Sequence, residues 1–296
     1  MITIKAPAKI NLAIDVLDKR EDGYHNIDIV TLPLKLHDNI QIEMYPKKYG
    51  TYVTCDDMSV ICDESNLVYV AYRAMKEKYH FDKSLRIKIF KRIPIEAGLA
   101  GGSADAAAVI NGLNKMFKLK MSDKEKIDVA ITVGSDVPYC LFNKPMRLTD
   151  KGEVLETINV NTDWNVLLVQ PSVGLSTKGV YQLADTMEKD KPNISELIKG
   201  LETNNDELIE ANMKNGLQNA AIYACPEIQN IIDKMRSLGF KKVMMSGSGS
   251  TVFALSKDKE KVVSAAKEFN DDTHSVYVTE TDCVKKRSIF SKLLNR

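Results

Sequence analysis

No apolar run in this sequence approaches the length needed to cross a bilayer, and charged Lys5 and Lys9 interrupt the early apolar residues, so neither a membrane span nor a signal peptide is expected. Its five cysteines (Cys55, Cys62, Cys140, Cys225, Cys283) are odd in number and scattered, with no C-x-x-C pair and no histidine at metal-ligand spacing. That excludes a disulfide scaffold and a zinc ribbon, predicts no metal site, and leaves each thiol as a reduced, buried small hydrophobe of a cytoplasmic protein. Charge of one sign is also missing. Lys and Arg number 41 against 40 Asp and Glu, a net charge of +1, which gives no reason to expect nucleic acid or an acidic membrane as partner. Internal repeats and low-complexity segments are absent. So are the two commonest nucleotide fingerprints, G-x-G-x-x-G and the G-x-x-x-x-G-K-S/T loop, whose lysine reaches the β- and γ-phosphates.

What the 296 residues do hold is 44% hydrophobic side chains, enough for a substantial core in one large or two ordinary domains. They also hold the small-residue run Pro94-Ile95-Glu96-Ala97-Gly98-Leu99-Ala100-Gly101-Gly102-Ser103-Ala104. Residues 85–91 alternate like a strand and residues 104–117 are rich in Ala, Val, Ile and Leu, so the glycines stand where a strand passes through a loop into a helix. At a helix start, unpaired backbone N–H groups and the positive end of the macrodipole converge on an anion, and missing Cβ atoms admit phosphate oxygens. The density of glycines exceeds what a turn requires and predicts a phosphate cradle. A lysine acting on the moving phosphate must then come from elsewhere.

Lys9 is the candidate, in Lys5-Ala6-Pro7-Ala8-Lys9-Ile10-Asn11-Leu12. In a strand Lys9 and Asn11 share one face while Ile10 and Leu12 share the other, so one face is core and one is cleft. An ordinary solvated lysine is the plainer alternative, but it does not explain a lysine between Pro7-Ala8 and a core strand. Gly134-Ser135-Asp136-Val137-Pro138 follows a helical segment, which puts Asp136 on a turn where a carboxylate can face a cleft. The plainer role for Asp136 is an Asx turn or a helix cap. An ammonium close to a carboxylate would hold it ionised and draw a hydroxyl oxygen toward alkoxide character.

Elsewhere the pattern mixes α and β. Alternation predicts strands over 10–17, 27–34 and 40–44, and apolar spacing a helix over about 66–79. Ser122-Asp123-Lys124-Glu125 reads as a capping box for a helix ending near Gly134, and 166–169 as a buried strand. The polar stretch 186–205, broken by Pro192, looks least ordered. Residues 228–238, 243–245, 252–256, 258–269 and 276–279 then read helix, strand, strand, helix, strand, the make-up of an α+β domain on one sheet.

Three segments carry a resemblance: the Lys5 to Leu12 strand with Arg20-Glu21-Asp22-Gly23-Tyr24-His25 behind it, the Pro94 to Ala104 loop, and Met245-Ser246-Gly247-Ser248-Gly249-Ser250-Thr251-Val252-Phe253. Together, in register over about 4–256, they resemble the signature segments of the GHMP kinase superfamily. The resemblance implies an α+β fold of two domains, cut near residue 155, with the active site in the interdomain cleft. The N-terminal, ATP-binding domain would span 1–155, the C-terminal domain 156–282, and a basic tail 283–296 would lie beyond the match. It further implies ATP as cofactor, with Mg2+ delivered as the nucleotide complex, and Lys9 and Asp136 as the catalytic pair, Asp136 being the base. Pro94 to Ala104 would hold the nucleotide phosphates, and Asn66, Leu67 and Lys91 match the adenosine pocket by register. The Asp-Gly-Tyr-His element points to the branch that phosphorylates the 2-hydroxyl of a cytidine diphosphate-linked polyol in non-mevalonate isoprenoid synthesis. There Asn11 would contact substrate and the cytosine would lie between Tyr24 and Tyr181. The backbone and ring of His25 would read the cytosine edge, and Gly247, Ser248 and Gly249 would close the site. Tyr24 following a hairpin turn at Asp22-Gly23 is the plainer alternative.

The resemblance also has departures. Met213 to Asn219 lacks the acidic residues usual in the family at that place, and Ala104 stands where a second serine is common. Two other functions stay open: a GHMP kinase acting on a mevalonate-like alcohol, which carries no base to stack on Tyr24, and a ligand-binding homologue with little turnover. A monomer or weak homodimer is expected.

Overall fold

The computed structural model describes residues 1–46, 49–269 and 272–284. The basic tail expected at 283–296 therefore lies outside the described residues from 285 onward. The first half of the chain builds one six-stranded sheet around two long strands, β1 (Ile2–Lys19) and β2 (His25–Tyr45). These pair antiparallel along their length, and the hairpin between them turns through Asp22 and Gly23, whose φ is 84°. The other edge of β2 pairs with β4 (Ser84–Phe90) near its C-terminal end and with β5 (Met146–Asp150) near its start. β3 (Tyr52–Cys55) and β6 (Val154–Thr157) complete the sheet.

Where alternation predicts two strands over 27–34 and 40–44, the structure has one. The polar residues between them look like a turn in sequence, yet His37, Asp38 and Asn39 stay paired with Pro7, Ala6 and Lys5. The Asp38 carboxylate turns inward to bond the backbone N–H of Ile93 at 2.8 Å and Lys91 Nζ at 2.7 Å. A buried charge with such partners does not break a strand.

Helices α1 (Leu67–Tyr79), α2 (Gly101–Met116), α3 (Asp123–Val133) and α4 (Val137–Cys140) belong to this half. α3 has the expected capping box, with Ser122 and Glu125 bonding each other's backbone N–H, because that signal is wholly local. α2 starts at Gly101, three residues before the apolar run, so its glycines form the first helical turn.

The second sheet is antiparallel, in the order β10 (His274–Glu280), β7 (Asn165–Pro171), β9 (Val252–Ser256), β8 (Lys242–Met245). α5 (Thr177–Ala184), α6 (Ile194–Thr203), α7 (Asp206–Asn212), α8 (Gln218–Ala224), α9 (Glu227–Ser237) and α10 (Lys259–Ala266) accompany it. α6 falls in the stretch that looked least ordered. Asn193 caps it, and Ile194, Leu197 and Leu201 bury one stripe, an amphipathic pattern masked by the polar residues around it.

One core cluster joins the halves: Ile10 and Leu12 of β1 and Leu32 of β2 pack with Trp164, Val166, Leu168 and Phe253. Burying each such side chain contributes about 1.5–3 kcal/mol. The opposite face of β1 at Lys9 and Asn11 is thereby turned toward a cleft. Register shifts on either side of this pair, between Pro7 and Lys9 and between Asn11 and Ala13, fix its aim.

Candidate active site

A cavity of about 1420 Å³ lies between the two halves and is lined by both. Every residue expected at the site lines it except Ala104. That residue is buried, and its N–H already bonds Ala100 O at 2.8 Å inside the helix, so it has nothing left to offer a phosphate.

The cradle is built by backbone shape. Glu96, Gly98 and Ala100 have φ of 53°, 69° and 58°, and for the two with a Cβ this costs about 1–2 kcal/mol each. The result ends at the start of α2, where the N–H groups of Gly101, Gly102 and Ser103 precede the first helical bond and have no partner in the helix. The Cβ directions of Gly101 and Gly102 face Ile93 with Lys91, and Leu67, respectively.

Gly98 is the crossing point of the three signature segments. Its carbonyl accepts from Lys9 Nζ at 3.0 Å and from Ser246 Oγ at 3.0 Å, and a Cβ on it would stand 2.1 Å from Ser246 O. Lys9, though buried, uses two of its donors: it also donates to Asn11 Oδ1 at 2.7 Å, while Asn11 Nδ2 donates to Thr31 Oγ1 at 2.9 Å. An ammonium has three N–H bonds, so one remains for the cavity. Lys9 forms no ion pair with Asp136.

Asp136 sits just before α4 but makes no capping hydrogen bond with its side chain, so the plainer role weighed for it is not the one it plays. Its carboxylate has no hydrogen bond or ion pair among the described residues, and it lines the cavity beside Ser135 and Tyr139. It is near enough to Tyr181 that, after burial, its charge helps push the Tyr181 phenol pKa up.

At the end of the cavity expected to take adenosine, Asn66 caps α1 through the Val68 N–H at 2.9 Å, and Leu67 follows it into the wall. Lys91 is there too, but its ammonium is held at 2.7 Å by both Asp38 and Asp105. Burial works to lower the Lys91 pKa, and the two carboxylates outweigh it and raise it. Two carboxylates on one ammonium leave an excess negative charge in a buried site. Burial pushes the Asp105 carboxyl up to about 8, the charge of Asp38 adds to the rise, and Lys91 opposes it.

At the other end, Tyr24 stands on the rim, 58% exposed, with Lys151 Nζ 5.6 Å from its ring centre. It follows the hairpin turn weighed for Asp22-Gly23, and that turn is what carries it to the cavity. His25 is buried beside it. The ring partner of Tyr181 is His25, with centroids 5.3 Å apart and planes tilted by 31°. Tyr24 and Tyr181 do not touch.

Gly247, Ser248 and Gly249 cover the cavity from β8–β9, and Ser248 Oγ meets Thr177 Oγ1 at 2.9 Å. Asn215 supports this loop. Its Nδ2 donates to Met245 O at 3.0 Å and Gly247 O at 2.9 Å, and its Oδ1 accepts from Leu217 N–H at 2.9 Å. The segment that lacks the family's acidic residues therefore has a structural task met by an amide. Sequence reasoning missed Asn215, Thr31, Asp38, Asp105 and Asp185. No local signal marks them, because their partners are remote in the chain.

The profile of the GHMP kinases N terminal domain matches residues 66–144, and that of the GHMP kinases C terminal region matches 196–273. The chain belongs to the GHMP kinases. Among its relatives is the 4-diphosphocytidyl-2-C-methyl-D-erythritol kinase of Clostridium botulinum (strain Eklund 17B / Type B), 38% identical over 95% of this chain and 100% of that one. The enzyme of the same name from Clostridium beijerinckii is 38% identical over 94% and 99%. A crystal structure of 4-(cytidine 5'-diphospho)-2C-methyl-D-erythritol kinase superposes with a TM-score of 0.78 at 26% identity, covering 95% of this chain and 99% of that one.

Proposed function

We propose that this chain is a cytoplasmic, ATP-dependent kinase that phosphorylates the 2-hydroxyl of 4-diphosphocytidyl-2-C-methyl-D-erythritol. The observation that carries the reading is that Lys9, the open start of α2 and Asp136 line one cavity with the His25–Tyr181 pair. Phosphoryl chemistry and a place for a pyrimidine thus occur together, and a mevalonate-like alcohol would leave the second end without purpose. The proposed domain ranges 1–155 and 156–282 meet inside β6, the last strand of the first sheet, which runs to Thr157, while the second sheet starts at Asn165, so the boundary belongs a few residues later.

In this arrangement the triphosphate lies against the N–H groups of Gly101, Gly102 and Ser103 and the positive end of the α2 dipole. Magnesium enters with ATP. Asp136 accepts the hydroxyl proton as the substrate oxygen forms its bond to the γ-phosphorus and the bond to ADP breaks. The remaining N–H of Lys9 faces the charge that builds on the transferred group.

A coupled ADP-release assay over diphosphocytidyl-methylerythritol, mevalonate, phosphomevalonate and homoserine tests this. Turnover is expected with the first and not with the rest. Preference for mevalonate or homoserine would refute the substrate assignment, and turnover of none would favour a binding protein.

A further inference from the structure

We propose that Asp185 fixes the ring proton of His25 on Nε2, leaving Nδ1 as a lone-pair acceptor, and that this makes the pyrimidine subsite select an amino group over a carbonyl at ring position 4. The inference rests on the reading of the cavity as a site for a cytidine diphosphate-linked substrate, and adds how cytosine is told from uracil.

Asp185 follows α5 directly, one turn beyond Tyr181, so the two side chains leave the helix on one side. Both reach His25 from the second half of the chain. Tyr181 meets the face of the imidazole at a centroid distance of 5.3 Å, and Asp185 Oδ1 lies 2.7 Å from Nε2. The same carboxylate takes Lys19 Nζ at 2.9 Å and Lys189 Nζ at 3.5 Å. Burial works to raise the Asp185 pKa, but hydrogen bonds from Lys19 and His25, with the Lys19 charge, bring it down to about 2. An ionised carboxylate only accepts, so the Nε2 that faces it must donate. In the neutral imidazole Nδ1 then has a lone pair and no proton.

That Nδ1 takes no hydrogen bond from any described residue, although the side chain is only 6% exposed and lines the cavity. Position 4 is an amino donor in cytosine and a carbonyl acceptor in uracil. A fixed acceptor pairs with the first and sets lone pair against lone pair with the second. Without Asp185 the proton is free to move to Nδ1, which would reverse the preference. Asp185 is therefore a positioning residue that acts through His25.

The test compares cytidine diphosphate and uridine diphosphate as competitive inhibitors of wild-type protein, Asp185→Ala and Asp185→Glu. Wild type should favour the cytidine nucleotide by about tenfold or more, the factor typical of one matched against one opposed buried hydrogen bond. In Asp185→Ala the two should become nearly equal while the KM for ATP holds, and Asp185→Glu should restore the preference. A merely mechanical role, tying the hairpin to α5, would weaken both nucleotides alike and keep their ratio, which would overturn the proposal. The nitrogen-15 signature of the His25 ring in the wild-type protein decides the matter even if the alanine variant does not fold. A proton on Nε2 is expected, and one on Nδ1 overturns it. If neither nucleotide competes with wild type while the ring shows its proton on Nε2, the cytidine reading has failed rather than the proton lock.

Discussion

Asp136 and Lys9 are set apart by opposite surroundings. Among the described residues the carboxylate has no hydrogen-bond or ion-pair partner and the ammonium is held by two. Asp136→Asn removes the proton acceptor at constant shape, so turnover should fall by about a hundredfold or more with an unchanged melting temperature, read by the ADP-release assay. Lys9→Ala should cost a comparable factor of about a hundred in turnover through lost charge stabilisation. It should also lower the melting temperature, because Asn11 Oδ1 loses its donor and Gly98 O one of its two. Asp105 makes a prediction about pH. Its folded pKa of about 8 lies above the ordinary carboxyl value of 3.8, so between those values the folded state holds a proton that the unfolded state has released. The contribution of Asp105 to stability is therefore greatest in acid and falls as pH rises through about 4 to 8. Asp105→Asn imitates the protonated acid and should flatten that fall, as measured by thermal melts across the range.

Among the elements, the loop before α2 and the loop between β8 and β9 depend on close backbone approach. Gly98→Ala puts a Cβ 2.1 Å from Ser246 O at a φ of 69°. It should destabilise by about 1–3 kcal/mol, seen in denaturant melts, and lower activity with it. Gly102→Ala is the contrast. Its Cβ finds ordinary contact with Leu67 at 3.6 Å, so the melting temperature should hold while the KM for ATP rises several-fold as the cradle narrows. The difference between legible and illegible elements follows sequence distance. The α3 capping box spans three residues, and the glycine spacing of the cradle is equally local; both could be read. Asp38 and Asp105 meet Lys91 from 53 and 14 residues away, and Asp185 meets His25 from 160. No window of sequence contains those pairs. The same distance hid the continuity of β2, whose polar middle is explained only by Lys91 and by β1. It hid the stacking of Tyr181 on His25 as well, since aromatic residues in two segments do not declare which rings meet.

For the whole molecule, the segment at Asn215 is one of the places where the halves are fastened. Ile14 N–H donates to Lys214 O and Gly216 N–H to Ile14 O, so β1 runs beside this segment while the Asn215 amide holds the β8–β9 loop. Asn215→Ala would leave two carbonyls and one N–H unpaired in a site 1% exposed. Stability should fall by about 2–4 kcal/mol, near the upper end for buried polar groups, and the KM for both substrates should rise as the loop loosens. The Gly98 carbonyl has a consequence of another kind. Lys9 and Gly98 leave the ribosome early, but the hydroxyl of Ser246 that completes their meeting, and the α5 face that meets His25, are made much later. A chain that ends before the second half has Lys9 and Gly98 but neither the Ser246 hydroxyl nor the α5 face, so the cavity is lined completely only when both halves have been made.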